Sequence, residues 1–251
     1  MTNTAQKISI SVLRQMKRDG RKIAGVVAWD YPMAQIAERA GVDIVSIGDS
    51  VGKNLWGQAT ETEVTLDELL VVCKAVRRGV TRALVSCDLP DGPVQAGTEA
   101  ALNAAVRLFS EGGADVVKVH ADPGLVRAIT NRGIPVFAEF HGEDIAAAAL
   151  VEKAKQLENA GAVLLNFRHS GPVAGAQVVR AVSVPVIGGL GGGPWLDGRM
   201  RLVQTAIGYS ASAIDSDAER YANVARMALD ALTRYAADVR TGRPLKGEHP
   251  G

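Results

Sequence analysis

Residues 114–140, ADVVKVHADPGLVRAITNRGIPVFAEF, contain the repeating unit from which the fold can be predicted. Two apolar runs, Val116–Val119 and Val136–Phe140, flank a helical stretch over Leu125–Asn131 that Gly133 ends. Apart from Lys118 and Glu139, both runs are apolar rather than alternating, as in most of the predicted strands and in parallel strands that are buried on both faces. The segment therefore predicts one strand–helix–strand unit of a parallel sheet.

The same unit recurs along the chain about every 25–40 residues. The predicted strands are Ile23–Val27, Val42–Ile47, Ala83–Cys87, Val116–Val119, Val136–Phe140, Val163–Asn166 and Val184–Ile187. The predicted helices are Pro32–Ala40, Leu66–Arg78, Glu99–Glu111, Leu125–Asn131, Asp144–Ala160, Ala174–Val182, Leu196–Ala206 and Ala218–Val239. This alternation predicts an α/β fold, a (β/α)₈ TIM barrel whose eighth strand lies near Ala206–Ile207. A doubly wound open sheet is the alternative.

No linker or low-complexity segment divides the chain, so we expect a single barrel domain over residues 1–251. Residues 1–20 are expected to be an N-terminal helical extension, and the polar segment 241–251 a flexible tail. Thr65 followed by Glu68 predicts a capping box, and Thr98 is expected to be an N-cap.

Composition excludes several classes of function. The chain has 251 residues, of which 47% are hydrophobic, and a net charge of +1, so a folded core is expected rather than disorder or a basic nucleic-acid-binding surface. No apolar run approaches the roughly 18 residues that a transmembrane helix needs. Two cysteines cannot form a disulfide framework, which favours a reducing compartment and a cytoplasmic location.

Polar side chains stand where the predicted strands end, which is where the active sites of α/β barrels lie. Along the chain these residues are Asp30, Asp49 and Ser50, Cys87 and Asp88, Lys118 and His120, Glu139 and His141, Asn166 with Arg168 and His169, and the run Gly188–Gly193. Converging aspartates are costly unless a cation neutralises them, so Asp49 and Asp88 predict a hard divalent ion such as Mg²⁺. The alternative is that these aspartates only cap the helices that follow.

Two of these residues allow more than one interpretation. Lys118, inside a buried strand, could bind a substrate carboxylate or form an internal salt bridge to Asp88 or Glu139. His120 could be a metal ligand beside Asp49 and Asp88, a proton shuttle, or a structural residue at the barrel rim.

Five segments together resemble the ketopantoate hydroxymethyltransferase family. They are AWDYPMAQIAERAGVDIVSIGDSVGKNLWG (28–57), VTLDELLVVCKAVRRG (64–79), ALVSCDLP (83–90), LNAAVRLFSEGGADVVKVH (102–120) and, more weakly, VPVIGGLGGGPWLDGRM (184–200). The motifs DYP, GDS and V-x-x-DLP occur in the family's order and spacing. The resemblance extends from about Lys22 to about Gly208, which is most of the chain.

The resemblance implies a homo-oligomeric barrel of the phosphoenolpyruvate/pyruvate class. It also implies transfer of a hydroxymethyl group from methylenetetrahydrofolate to a 2-oxo acid, with Mg²⁺ bound to the substrate's keto oxygen and carboxylate. By the same resemblance, Asp49 and Asp88 match the two metal-binding aspartates. Ser50 matches a contact to the substrate carboxylate, and Lys118 matches the lysine that contacts the substrate.

The chain also departs from the family. His120 replaces a glutamate near the metal, and Glu139 replaces the histidine of strand five, although a small gap would place His141 there. Asn166 stands where the resemblance places the general-base glutamate, and an amide cannot accept a proton at neutral pH. Glu139, His120 and His169 are the candidate replacement bases, with Glu139 the first choice. Pairing of Glu139 with Lys118 or His120 is the structural alternative.

The sequence thus predicts a metal-dependent enzyme that acts on a 2-oxo acid through its enolate, by hydroxymethyl transfer or a related aldol-type reaction. The predicted metal ligands are Asp49, Asp88 and His120, and the histidine would admit Zn²⁺ or Co²⁺ as well as Mg²⁺. The predicted substrate-binding residues are Ser50, Lys118, Asp49 and Asp88. The predicted catalytic residues are Glu139, His120 and Asn166. The alternatives are a C–C lyase of the same superfamily and a homologue that binds a ligand without catalysis.

Overall fold

The computed structural model describes residues 6–244 and contains a closed barrel of eight parallel strands in sequential order. The strands are β1 Ile23–Val27, β2 Ile44–Ile47, β3 Leu84–Asp88, β4 Val116–His120, β5 Val136–His141, β6 Ala162–Arg168, β7 Val186–Gly188 and β8 Gly198–Leu202. The predicted (β/α)₈ TIM barrel is confirmed, and the doubly wound sheet is excluded because the strands close on themselves.

Helices alternate with the strands. They are α1 Ile10–Arg18, α2 Tyr31–Ala40, α3 Leu66–Gly79, α4 Asp91–Gln95, α5 Thr98–Ser110, α6 Pro123–Thr130, α7 Ala147–Asn159, α8 Pro172–Ala181, α9 Val203–Ile207 and α10 Val224–Thr241. Short helical turns lie at Gly52–Trp56, Glu61–Glu63 and Ala211–Ala213. Within residues 6–244, no helix combines the length and the apolar character needed to cross a bilayer.

By the density of its internal contacts, the chain divides into two units, Met1–Arg201 and Leu202–Gly251. The first contains β1 to β7, nearly all of β8, and α1 to α8; the second contains α9 and α10. The single domain over residues 1–251 stays a prediction. Helix α1 falls within the predicted extension 1–20, and most of the predicted tail 241–251 lies outside the described residues.

Several predictions about local structure are wrong, and the first two concern the eighth strand. The eighth strand is Gly198–Leu202 rather than a segment near Ala206–Ile207, which lies in α9, so the predicted helix Leu196–Ala206 is wrong as well. In β8 the exposed Arg199 and Arg201 alternate with buried Gly198 and Met200, so the strand lacks the continuous apolar run that marks the others.

The third error concerns helix ends. Gly97, not Thr98, is the N-cap of α5, and Thr98 is the first residue of that helix. The predicted capping box of Thr65 and Glu68 is confirmed at the start of α3. Asp30 caps α2 by accepting a hydrogen bond from the backbone N–H of Met33 at 2.8 Å, so this strand-end carboxylate has a structural role.

The first residues of the strands fill the amino-terminal end of the barrel. Ile23, Ile44, Leu84, Val116, Phe137, Leu164 and Ile187 form one buried cluster with Leu13 and Met16 of α1. Helix α1 therefore covers the end of the barrel opposite the polar strand ends. The apolar residues stabilise the amino-terminal end of the barrel, and the carboxyl ends of the strands are where barrel enzymes have their active sites.

Glu38 of α2 connects that helix to the chain entering β3. Its carboxylate accepts hydrogen bonds from the backbone N–H groups of Arg82 (2.5 Å) and Ala83 (3.1 Å) and from the hydroxyl group of Thr81 (2.9 Å). Burial opposes ionisation, but these hydrogen bonds outweigh it and lower the pKa of the Glu38 carboxyl.

We predict that Glu38→Gln lowers the free energy of unfolding by about 1–2 kcal/mol at pH 7, because charge-assisted hydrogen bonds to the backbone are lost. The folded-state pKa of Glu38 is depressed, so its contribution is present above the unfolded pKa and is lost as the pH falls through the folded value. Urea unfolding at several pH values measures this. Glu152→Gln, at an exposed glutamate paired with Lys155, is the control. Equal midpoints for the two variants would contradict the prediction.

Candidate active site at the carboxyl ends of the strands

The predicted polar residues of β3 to β6 lie side by side at one end of the barrel. The strand register pairs Asp88 with Lys118, His120 with Glu139, Glu139 with Asn166, and His141 with Arg168. Because side chains alternate along a strand, residues two apart point to the same face. We call Asp88, Lys118, Glu139, Asn166 and Arg168 the strand-end cluster.

Lys118 lies at the centre of the strand-end cluster. Its ammonium nitrogen is 2.8 Å from Oδ2 of Asp88 and 3.1 Å from Oε2 of Glu139, and only 16% of its side chain is exposed. Both salt bridges of the structural alternative are therefore formed. Burial alone would lower the pKa of Lys118, but the two carboxylates outweigh it and raise the pKa above its ordinary value. The lysine is a permanent cation here.

Both carboxylate oxygens of Glu139 accept hydrogen bonds. Its Oε2 accepts a hydrogen bond from the Asn166 amide at 2.6 Å, and its Oε1 accepts one from the Arg168 guanidinium at 3.0 Å. Burial would raise the pKa of Glu139, but the attraction of Lys118 and Arg168 lowers it to about 2. A carboxylate with so little affinity for protons is a weak general base. The geometry thus favours pairing of Glu139 with cations over the predicted role as base.

Asp88 and Ser50 converge beside Gly48. A side chain added at Gly48 would meet Ser50 Oγ at 3.0 Å and Asp88 Oδ2 at 3.3 Å, so both oxygens lie against this glycine. The other carboxylate oxygen of Asp88, Oδ1, is buried and has no hydrogen-bond partner within the described part of the chain, residues 6–244. Such an oxygen is costly unless a donor or a cation satisfies it.

The electrostatics of the two aspartates also suit a cation. Burial raises the pKa of Asp88 to about 7, with Asp49 and Glu139 adding to the effect and Lys118 opposing it. Burial likewise raises the pKa of Asp49, and the attraction of Lys118 offsets this only in part. Carboxylate oxygens are the ligands that Mg²⁺ prefers. The residues present therefore fit a hard divalent ion.

The structure does not bring together the predicted metal ligands Asp49, Asp88 and His120 as a group. Among residues 6–244, the group of three potential ligands whose atoms lie within 4.8 Å of one another is His120, Glu139 and His141. His120 is exposed, and its Nε2 is 3.8 Å from Oδ1 of Asp91. The sequence did not predict the grouping of His120 with His141, because it does not show the register between neighbouring strands.

Asn166 makes two structural contacts. Its amide nitrogen donates to Glu139, and its amide oxygen accepts the backbone N–H of Gly189 at 2.9 Å, which connects β6 to the glycine-rich run Gly188–Gly193. The predicted end of strand six at Asn166 is wrong, because β6 continues to Arg168. Neither Asn166 nor Arg168 is a carboxylate. The alternation of side chains along a strand places residues 166 and 168 on the same face, and this pattern could have indicated that Arg168 belongs to the strand.

The loops after β5 and β6 are held together by a His–Glu pair. Nδ1 of His169 is 3.2 Å from Oε1 of Glu143, and His169 has a positive φ of 48°. A side chain at Gly191 would approach Nδ1 of His169 to 2.6 Å, so this position requires glycine. The left-handed Asp144 (φ 56°) in the same region explains why α7 begins at Ala147 instead of the predicted Asp144.

An open pocket of about 460 Å³ lies beside the strand-end cluster. His120, Glu139 and His141 line its barrel side, and residues of α7 line the other side. Trp56 is 39% exposed in the helical turn Gly52–Trp56 after β2. Cys87 is fully buried, as expected for a small core residue.

The fold and the charged strand ends define an α/β barrel with a site in the position used by barrel enzymes. The sequence profile of the ketopantoate hydroxymethyltransferase family matches residues 7–244. The 3-methyl-2-oxobutanoate hydroxymethyltransferase of Geobacillus kaustophilus is 34% identical over 90% of this chain and 87% of its own length. The same enzyme of a Nocardioides species is 34% identical over 97% and 88%. The chain belongs to the ketopantoate hydroxymethyltransferase family and is an enzyme of that hydroxymethyltransferase-like type.

Solved structures show a related fold at lower sequence identity. A phosphoenolpyruvate phosphomutase from Streptomyces platensis has a TM-score of 0.65 and 15% identity, with coverage of 94% of this chain and 88% of the other. A lyase/mutase from Burkholderia cenocepacia has a TM-score of 0.61 and 18% identity, with coverage of 96% and 92%. These likenesses support the barrel fold alone.

We predict that Glu139→Gln lowers the free energy of unfolding by about 3 kcal/mol, because it leaves Lys118 and Arg168 without their shared carboxylate. Chemical denaturation at pH 7 measures the loss. Glu143→Gln is the matched control, since Glu143 is 64% exposed and pairs only at the surface. An unchanged stability of Glu139→Gln would show that the strand-end cluster does not depend on this carboxylate.

Proposed function

We propose that the protein is a metal-dependent enzyme that acts on a 2-oxo acid through its enolate, most directly by hydroxymethyl transfer. The observation that carries the proposal is the buried Oδ1 of Asp88, which has no hydrogen-bond partner among residues 6–244. The other oxygen of this carboxylate, Oδ2, is 2.8 Å from the Lys118 ammonium. Family membership supports the same chemistry. Methylenetetrahydrofolate as the one-carbon donor, a homo-oligomeric state and a cytoplasmic location belong to this proposal.

Asp49 and Asp88 would hold the divalent ion, with Mg²⁺ favoured by their oxygen ligands. When bound, the ion supplies Lewis-acid polarisation of the keto group, which acidifies the neighbouring C–H. Lys118 has three donors, of which Asp88 and Glu139 occupy two. The third donor and the Ser50 hydroxyl group would bind the substrate carboxylate.

His120 is the proposed general base. Glu139 holds its proton too weakly, and the Asn166 amide cannot accept one. His120 lines the pocket, is exposed to an incoming substrate, and is the register partner of Glu139 on the neighbouring strand. In this arrangement Asn166 and Glu139 are positioning residues, which hold Lys118, Arg168 and the glycine-rich run in place.

Proton NMR of 3-methyl-2-oxobutanoate and other 2-oxo acids in D₂O tests the enolate step. We predict C3 deuteration that requires Mg²⁺ and is lost in Asp88→Asn, while Asp67→Asn, at an exposed aspartate, keeps it. His120→Gln is expected to slow exchange by about 100-fold or more, the scale of general base catalysis. Full C3 exchange in His120→Gln, together with loss of exchange in His169→Gln, would show that His169 and not His120 is the general base. Exchange in Asp88→Asn would contradict the proposed metal site.

Zinc provides a second test, because it prefers imidazole more than Mg²⁺ does. We predict that Zn²⁺ inhibits the Mg²⁺-supported exchange by binding His120, Glu139 and His141, which removes the proposed base. His141→Gln should weaken this inhibition by about tenfold or more, since one of three ligands is lost. His169→Gln is the matched control. Equal inhibition of all three proteins would show that zinc acts elsewhere.

C–C bond cleavage in the same barrel is the second candidate reaction. The observation that favours it is Arg168, a cation at the end of β6, where neither Arg168 nor Asn166 can replace the base glutamate that the family resemblance implies. Release of formaldehyde or glyoxylate from a 2-oxo acid without a one-carbon donor would support cleavage. A homologue that only binds its ligand would show neither release nor exchange.

A further inference from the structure

The pocket beside the strand-end cluster continues from the barrel mouth into the space between β5 and α7. His120 and His141 line it on the barrel side, and Phe140, Ile145, Ala149 and Leu150 form apolar walls further out. Its volume of about 460 Å³ is in the range of pockets that hold whole small molecules. A branched three-carbon side chain would leave much of this space empty.

A single lysine gives the apolar part of the pocket its charge. Lys153 lines the pocket one helical turn after Ala149 on α7. Side chains on a helix lean toward its N-terminus, so the Lys153 stem points back along the pocket wall. Lys155, two residues on, is paired with Glu152 at 2.9 Å, whereas Lys153 has no carboxylate partner among residues 6–244.

The geometry points to a subsite for the side chain of the substrate. We infer that the pocket binds an extended methylene chain that ends in an anionic group, so that the substrate is a 2-oxo dicarboxylic acid. This inference rests on the proposed function for the position of the 2-oxo acid end. The chain carbons would lie against Phe140, Ile145 and Leu150, and the terminal carboxylate would pair with Lys153. C3 of such an acid would lie beside His120, the proposed base.

Calorimetric binding to the full chain with Mg²⁺ tests the inference without relying on turnover. The probes are 2-oxoadipate, 2-oxohexanoate, which has the same chain length but no terminal carboxylate, and 3-methyl-2-oxobutanoate. We expect 2-oxoadipate to bind about tenfold or more tighter than either of the others. Lys153→Met should remove its advantage over 2-oxohexanoate and leave the binding of 2-oxohexanoate unchanged. Lys155→Met is the matched control and should change neither.

Filling the pocket tests the apolar walls separately. Ala149→Phe should weaken both six-carbon acids by about tenfold or more and the branched acid much less. Ala148→Phe is the matched control, because Ala148 is exposed on the same helix turn and does not line the pocket. Far-UV circular dichroism and thermal melts establish that each variant is folded.

The outcomes separate this inference from the proposed function. Tight binding of 2-oxoadipate that depends on Lys153, without C3 exchange, would support the subsite and refute the enolate chemistry. Exchange of 3-methyl-2-oxobutanoate, with 2-oxoadipate bound no better than 2-oxohexanoate, would leave the proposed function standing and overturn the subsite. An equal effect of Lys153→Met on both six-carbon acids would overturn it as well, and binding of no acid would overturn both.

Discussion

The ammonium group of Lys118, held between Asp88 and Glu139, is the interaction on which the rest of the site depends. It neutralises part of the charge of three carboxylates, including Asp49, that would otherwise repel one another at the mouth of the barrel. Through these two salt bridges, Lys118 of β4 also connects the carboxyl end of β3 to that of β5. Burial raises the pKa of both Asp88 and Glu139, and the charge of Lys118 opposes this effect at each carboxylate.

The two carboxylates beside Lys118 experience opposite environments. Glu139 also contacts Arg168 and Asn166, so its pKa falls to about 2 and its charge is fully compensated. Asp88 has one oxygen that no donor of residues 6–244 contacts, and burial raises its pKa to about 7. The strand-end cluster therefore contains one satisfied carboxylate and one that attracts a cation. This asymmetry supports the roles proposed for the two residues, positioning for Glu139 and metal binding for Asp88.

Much of the barrel could be predicted from the sequence because seven strands are mostly apolar runs without regular alternation. β8 was missed because Arg199 and Arg201 break that pattern on its exposed face. Asp88, Lys118 and Glu139 were predicted as strand-end residues, and the structure does bring them together. The grouping of His120 with His141 depends on strand register and loop conformation, which act between segments distant in sequence. The sequence did not show that β6 extends to Arg168, because the polar residues Asn166 and Arg168 follow its apolar run.

In the proposed reaction, a divalent ion on Asp49 and Asp88 would contact the 2-oxo acid directly. Electron paramagnetic resonance of the protein with Mn²⁺ in place of Mg²⁺, and with a 2-oxo acid labelled with ¹⁷O in its keto and carboxylate groups, tests this contact. We expect the labelled acid to broaden the Mn²⁺ lines relative to the unlabelled acid, and Asp88→Asn to abolish the effect. Bound Mn²⁺ whose lines are unchanged by a bound, labelled acid would contradict it.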